Sequence, residues 1–304
     1  MFSELATGPL GLTQLLHRLG LHARPARDFL DALVALGMLD KEGDSYANTP
    51  TADRFLDRAK PSYIGGMLEY FNARLYPRWG RLTDSLRSGK PQSVGGTGLF
   101  AEIYSDDKSL REFMRAMTGL SLGSAKVIAS RFPFEQHRTF VDIGCAEGAL
   151  LVQVALAHPN ITGGGFDLPP VRPVFEDYVN SFGLADRLVF HPGDFLVQEL
   201  PAADVMAMGH VLHDWDLETK LMLLQKAHAA LPRGGALIVH ESIIDDERRT
   251  NVFGLLMSLN MLIEVPGGFD FTGSDCQEWM KSVGFRETRV EPLAGPDSAV
   301  IAVK

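Results

Sequence analysis

Apolar positions in residues 10–60 recur at helical spacing in "LTQLLHRLGL" and again in "ARDFLDALVALGML", and the turn-rich "DKEGDSYANTP" behind them fits a small hairpin. Two helices followed by a hairpin predict a winged-helix unit. Helical patterning continues through "MLEYFNARLYPRWGRLTDSLRSG" to about residue 89. The stretch "KPQSVGGTG" then reads as a loop, and "LREFMRAMTGLSLGSAKVIASRF" predicts the helix that follows it.

Beyond residue 138 the pattern changes. Short β-rich runs, "TFVDIG", "ITGGGFDL", "RLVFHPGDF", "DVMAMG" and "ALIVHES", alternate with helical segments at 148–157, 170–182 and 217–231. Alternation of this kind predicts an α/β domain, a parallel sheet covered by helices on both faces. In the last helix Leu217, Leu221, Leu224 and Leu231 are expected to share the buried face, with Asp216 as its cap. "FRETRVEPL" and "SAVIAVK", joined by a turn at Gly295-Pro296, read as a closing antiparallel pair. The domains are therefore placed at 1–100, mainly helical, and 101–304, the α/β part.

Composition narrows the function. The 304 residues are 45% hydrophobic, enough for sizeable cores. Lys and Arg number 29 against 38 Asp and Glu, a formal charge of −9, and residues 1–60 carry seven basic against eight acidic side chains. Without a basic face the winged-helix part is not expected to hold nucleic acid, although a ligand-responsive DNA-binding regulator stays as a remote alternative. Cys145 and Cys276 stand far apart without a CxxC pair, which argues against a disulfide framework or structural zinc and suits a reducing cytoplasm. The N-terminus shows no export signal and no stretch is apolar enough for a membrane span.

Ligands of open parallel sheets bind beyond the carboxyl ends of the strands, so the chemistry is sought there. The first strand ends in "VDIGCAEG". Gly144 and Gly148 permit a tight turn and close backbone approach, but Ala146 replaces the glycine a pyrophosphate would need, disfavouring a nicotinamide dinucleotide. Asp142 and Glu147 beside the turn suit an ammonium or sulfonium group. Asp167 of "GFDLP" ends the second strand, where an acid can accept both ribose hydroxyls, and Asp194 and Phe195 of "GDF" end the third, where they suit an adenine amino group and ring.

Together with "GHVLHDWD" at 209–216, these motifs in this order resemble the S-adenosylmethionine-dependent O-methyltransferases of the plant and bacterial natural-product type. The resemblance spans essentially the whole chain. It implies a Rossmann-like seven-stranded methyltransferase sheet, an N-terminal winged-helix dimerisation and acceptor-lid domain, a homodimer, and S-adenosyl-L-methionine as cofactor with S-adenosyl-L-homocysteine as product. The expected activity is methyl transfer to a hydroxyl of a small aromatic or polyketide-like acceptor. N- or C-methylation, hydroxylation or decarboxylation on the same fold and cofactor stay open. Family members usually begin some tens of residues earlier, so a reduced dimer interface is expected.

Phenols ionise near pH 10, so methylation profits from a base, and histidine, with an ordinary pKa near 6.5, is expected to be neutral and available. His213 is read as that base. A metal-ligand role for the histidines and aspartates of this stretch lacks a supporting motif, and no metal is expected. The resemblance implies Glu241, at the next strand end, and Asp270 of "PGGFDFT" as its carboxylate partners. The expected cofactor residues are Asp142, Gly144, Glu147, Gly148, Asp167, Leu168, Gly193, Asp194, Phe195, His210 and Trp215. Trp215 reads equally as core, His210 as loop packing, and His228 as a core histidine. The resemblance places Met114, Met117, Phe253, Met257, Asn260 and Met261 in segments that line the acceptor cavity, with core packing as the plainer reading of each.

Overall fold

The computed structural model describes residues 1–60, 62–92, 100, 103, 104 and 106–304; most of the loop expected at 90–98 lies outside them. The chain divides into two compact units, Met1–Glu69 and Tyr70–Lys304.

The first unit carries helices Phe2–Leu5, Leu12–Leu19, Ala23–Ala35 and Pro50–Leu56 with strands β1 (Leu10–Gly11), β2 (Leu39–Glu42) and β3 (Ser45–Asn48). The antiparallel order β1-β3-β2 makes the expected hairpin the wing of a three-stranded sheet. Leu5, Leu15, Leu30, Leu39 and Tyr46 form its core. The Tyr46 hydroxyl donates to Asp31 at 2.8 Å, fastening hairpin to helix. The Pro50–Leu56 helix, which periodicity did not reveal, starts where Thr49 accepts from the Ala52 amide and Pro50 pre-sets the first turn.

The second unit is built on a seven-stranded sheet. Its strands are β4 (Thr139–Ile143), β5 (Thr162–Asp167), β6 (Leu188–Pro192), β7 (Val205–Gly209), β8 (Ala236–Glu241), β9 (Glu287–Pro292) and β10 (Ser298–Val303), ordered β6-β5-β4-β7-β8-β10-β9. The first five run parallel, and β10 pairs antiparallel with both β8 and β9, as the closing pattern predicts. Strand order reverses between β4 and β7, which opens a crevice at their carboxyl ends. One core cluster packs the helices Asp107–Arg131, Ala149–Ala157 and Arg172–Ser181 against one sheet face. Another packs Leu217–Ala230 and Gly273–Ser282 against the other.

Two expectations are corrected. The division falls at Glu69–Tyr70 rather than near residue 100, because the segment after it packs within the second unit. There Trp79 Nε1 donates to Asn260 at 3.1 Å, the Arg78 guanidinium pairs with the buried Glu264, and Tyr70 meets Phe113 edge-on at 5.5 Å. In the Leu217–Ala230 helix the buried face is Lys220, Leu223, Leu224, Ala227 and Leu231, while Leu217 is 43% exposed. Lys220 occupies an apolar face because its ammonium donates to the Trp215 carbonyl and lies 3.5 Å from the centre of the Phe269 ring.

Candidate active site

The crevice at the β4/β7 switch is a cavity of about 270 Å³. The turn after β4 forms one wall. Gly144 sits at φ +72°, where an added Cβ would come 2.6 Å from Val211 Cγ2, so only glycine fits. Ala146 adopts φ +50°, a left-handed conformation held by its amide donating to Asp167 Oδ2 at 3.0 Å. Leu168 N donates to the other oxygen of the same carboxylate at 2.7 Å. Asp142, Asp167, Leu168, Gly193, Asp194, Phe195, His210 and Trp215 all reach the cavity wall. Trp215 stacks on Phe100 at 6.0 Å and meets Phe195 edge-on at 5.8 Å.

Glu147 and Gly148, from the same motif, stand back from that wall. Glu147 accepts from the Thr118 hydroxyl at 2.7 Å, and Gly148, at φ +85°, makes room for the Phe175 ring, 2.7 Å from where a Cβ would lie. Their local roles are to anchor the Asp107–Arg131 helix and to start the Ala149–Ala157 helix.

Two buried acids face this cavity. Burial, and then the charge of Asp167, push Asp142 up to about 8. Burial pushes Asp167 up to about 6, against the amides of Ala146 and Leu168 that favour its anion. A cation placed between them would relieve both.

His213 is not itself among the residues lining this cavity: it falls between the lining residues Val211 and Asp214, in a short 3-10 turn after β7, with 8% of its side chain exposed. Its Nδ1 is 3.2 Å from Asp270 Oδ1 and 3.7 Å from Glu241 Oε2, and its Nε2 is 3.7 Å from Asp214 Oδ1. Glu241 is oriented by the amides of Val211 and Leu212, which donate to its Oε1 at 3.2 and 3.1 Å. Burial alone would lower the imidazole's pKa, but Glu241, Asp270 and Asp214 outweigh it and push His213 up to about 10. Asp214, by burial, rises to about 7. The expectation of an ordinary imidazole is therefore corrected: its acid neighbours hold His213 well above the usual imidazole range.

The sequence did not single out Asp214 as a partner of His213, since its neighbour Asp216 has the plainer cap role that the structure shows. Lys220 was hidden by helical periodicity, and Asp297 by its place in a turn. His210, His213 and Glu241 have ligand atoms within 4.8 Å of one another, the spacing of an imidazole–carboxylate cluster.

The expected acceptor residues divide. Met114 and Met117 line the first cavity, together with Phe113, Thr118 and Ser121. Phe253, Met257 and Asn260 line a second, of about 450 Å³, with Phe71, Leu75 and Trp79. Met261 is packed in the core.

Comparison with known proteins decides the family. The O-methyltransferase domain family matches residues 79–286. The chain belongs to this family. It is 41% identical to the tetracenomycin polyketide synthesis 8-O-methyl transferase TcmO of Streptomyces glaucescens, over 100% of this chain and 90% of that protein. It is 36% identical to the N,N-dimethyltransferase OxyT of Streptomyces rimosus, again over 100% and 90%. Among solved structures it is similar to human N-acetylserotonin methyltransferase in complex with S-adenosylmethionine, with TM-score 0.90, 28% identity and coverage of 100% of this chain and 90% of that one.

The chain is thus an S-adenosylmethionine-dependent methyltransferase, and its residues fit that cofactor. Two buried acids, Asp142 and Asp167, both raised by burial, suit a cationic amino acid and sulfonium. The Trp215, Phe195 and Phe100 rings suit a purine, and the bare backbone at Gly144 leaves room for close approach.

Proposed function

We propose that this O-methyltransferase acts on a phenolic hydroxyl of a polycyclic aromatic polyketide, with His213 as proton acceptor. The observation that carries the reading is the imidazole held among Asp270, Glu241 and Asp214. S-adenosylmethionine supplies an electrophilic methyl carried on a sulfonium. Asp142, Gly144, Asp167, Leu168, Gly193, Asp194, Phe195, His210 and Trp215 would hold it, with Glu147 and Gly148 supporting the turn from behind.

A proton leaving a phenol of pKa near 10 would have to climb to reach an ordinary imidazole, but the acid cage brings His213 to about the same affinity. Transfer is then nearly balanced. The cost is availability, because fewer His213 rings are neutral at pH 7. Turnover is therefore expected to rise with pH through the cluster's titration and level off near its upper limit.

Acceptor contacts are proposed for Met114, Met117, Phe253 and Met257, whose apolar side chains would accommodate a flat ring system, and for Asn260, whose amide would offer a polar contact. The likeness to TcmO supports a polyketide acceptor, and the likeness to OxyT favours an amine acceptor as the second reading. We also propose a homodimer formed through the first unit, where Leu36 is 70% and Phe29 50% exposed. Two buried, unpaired cysteines suit the reducing cytoplasm.

The test is incubation with methyl-labelled cofactor and a panel of hydroxylated and aminated polycyclic aromatics, with products located by mass spectrometry and NMR. Label on oxygen is expected, and label on nitrogen alone would replace this reading with the amine one. His213→Ala should cut kcat by about 10²- to 10⁴-fold. Light scattering should give twice the mass of one chain.

A further inference from the structure

The carboxylate cage of His213 continues on its far side. His210, the residue after β7, takes φ +51°, uncommon for a side-chain-bearing residue, and its amide donates to the His240 carbonyl at 3.1 Å. This turn aims the ring between two acids. Nδ1 is 3.6 Å from Glu241 Oε2, the oxygen that faces His213, and Nε2 is 3.6 Å from Asp297 Oδ2. Asp297 is itself fixed: Ser124 donates to Oδ2 at 2.7 Å and Ser242 to Oδ1 at 2.8 Å. All five groups, Asp297, His210, Glu241, His213 and Asp270, are buried or nearly so.

We propose that Asp297, from the turn between β9 and β10, is a positioning residue that holds His210 as an imidazolium against Glu241 and so tunes how readily His213 gives up its proton. The inference rests on His213 being the proton acceptor. Its physical basis is alternation of charge: Asp297 and Glu241 flank His210, and Glu241 is flanked by His210 and His213. Burial opposes the His210 imidazolium, yet its pKa is raised, with Asp297 the foremost favourable partner and Glu241 next. His240 gives the contrast. Its ring is equally buried, 5.7 Å from His210, with no carboxylate at ion-pair distance among the described residues, and burial lowers it to about 3. Asp297 lies well below the usual carboxylate range, because His210, Ser124 and Ser242 together outweigh its burial.

The remaining charges set the sign. His213 also faces Asp214 and Asp270, and Lys220 lies near enough to Glu241, Asp270 and Asp214 to feel their charge. Loss of the Asp297 charge would leave His210 with Glu241 alone and turn it neutral. The positive charge thereby lost is nearer to His213 than the negative charge removed, so His213 would hold its proton more tightly.

Asp297→Asn keeps the shape and can keep both serine contacts. In ligand-free protein with ¹⁵N-labelled histidine, the His210 ring, assigned with His210→Gln, should be imidazolium near pH 7 in the parent and neutral in Asp297→Asn. In turnover of a phenol from the panel, the rising limb of kcat should move up by about one pH unit, so kcat falls up to about tenfold at pH 7 and recovers at higher pH. In a His210→Gln background Asp297→Asn should add no further shift. Ser124→Ala, the milder variant, should move the limb the same way by less. An unmoved limb, a pH-independent fall in kcat, or an additive double variant overturns the proposal. If His213→Ala itself keeps full turnover, the base reading fails and this inference with it. If His213→Ala is inactive while the limb stays put, this inference alone fails.

Discussion

The Nδ1 atom of His213 lies 3.2 Å from Asp270 Oδ1, the shortest approach between the imidazole and any of its three acids. Asp270 is brought there by the irregular segment after Gly267-Gly268, and its amide donates to Ser258 Oγ at 3.2 Å. Asp270→Asn keeps the shape but removes a charge that favours the imidazolium. His213 then becomes a weaker base. We expect the limiting kcat on the high-pH plateau to fall by about 10- to 100-fold with the limb displaced to lower pH, while calorimetry finds cofactor binding unchanged. Unchanged kcat would show that Glu241 and Asp214 suffice.

Asp142 trades stability for cationic recognition. Its carboxyl is raised from an ordinary value near 3.8 to about 8, so the stability it contributes in the protonated form is present at low pH and lost as pH rises through about 8. Asp142→Asn should therefore stabilise the ligand-free protein at pH 7–9 by roughly 1–3 kcal/mol, with no gain near pH 4. The same variant should lose most of the Tm increase that S-adenosylhomocysteine gives the parent. Thermal scans with and without that product check both halves.

His240 has the opposite sign. Its folded-state pKa is depressed to about 3, so below pH 6.5 the unfolded chain takes up a proton that the folded ring refuses. Stability from this residue is lost as pH falls, by up to about 1.4 kcal/mol per pH unit. The ring stands where Gly209 leaves space, 2.0 Å from the position of a Cβ, so a smaller neutral replacement is tolerated sterically. Urea titrations of His240→Asn between pH 7 and 5 should show a flatter decline than the parent, and a parallel decline would refute the assignment.

Ala146 carries local strain. At φ +50° it costs about 1 kcal/mol relative to glycine, opposed by the entropy glycine adds to the unfolded chain. Ala146→Gly is expected to change stability by less than about 1 kcal/mol and to leave cofactor affinity within a few-fold, because the contact that matters is the amide donating to Asp167. A loss of affinity tenfold or larger would show that the methyl group itself packs on the ligand.

Much of the fold was legible because burial imposes period. Strands buried on both faces read as continuous apolar runs, and β4, β7 and β8 lie within a residue or two of the runs that marked them. The Gly273–Ser282 helix went unread because its buried positions are Gly273, Cys276 and Met280, too few for a periodic signal; its capping box, Thr272 with Asp275, was the available clue. The same weakness of period hid the buried face of the Leu217–Ala230 helix. A lysine whose ammonium finds a carbonyl and a ring can replace a leucine there, and hydrophobicity cannot register that.

The sequence by itself determined the alternation that builds a parallel sheet, the acids at the strand ends and the imidazole beyond β7, because each is a local matter of residue type and spacing. Tertiary structure alone decided which charged groups meet. Asp270 and Glu241 converge on His213, and Asp297 reaches His210, across separations of 57 and 28 residues to His213 and 87 to His210 that no local rule connects. Electrostatic coupling falls with distance in space and rises with exclusion of water, and both are properties of the folded chain.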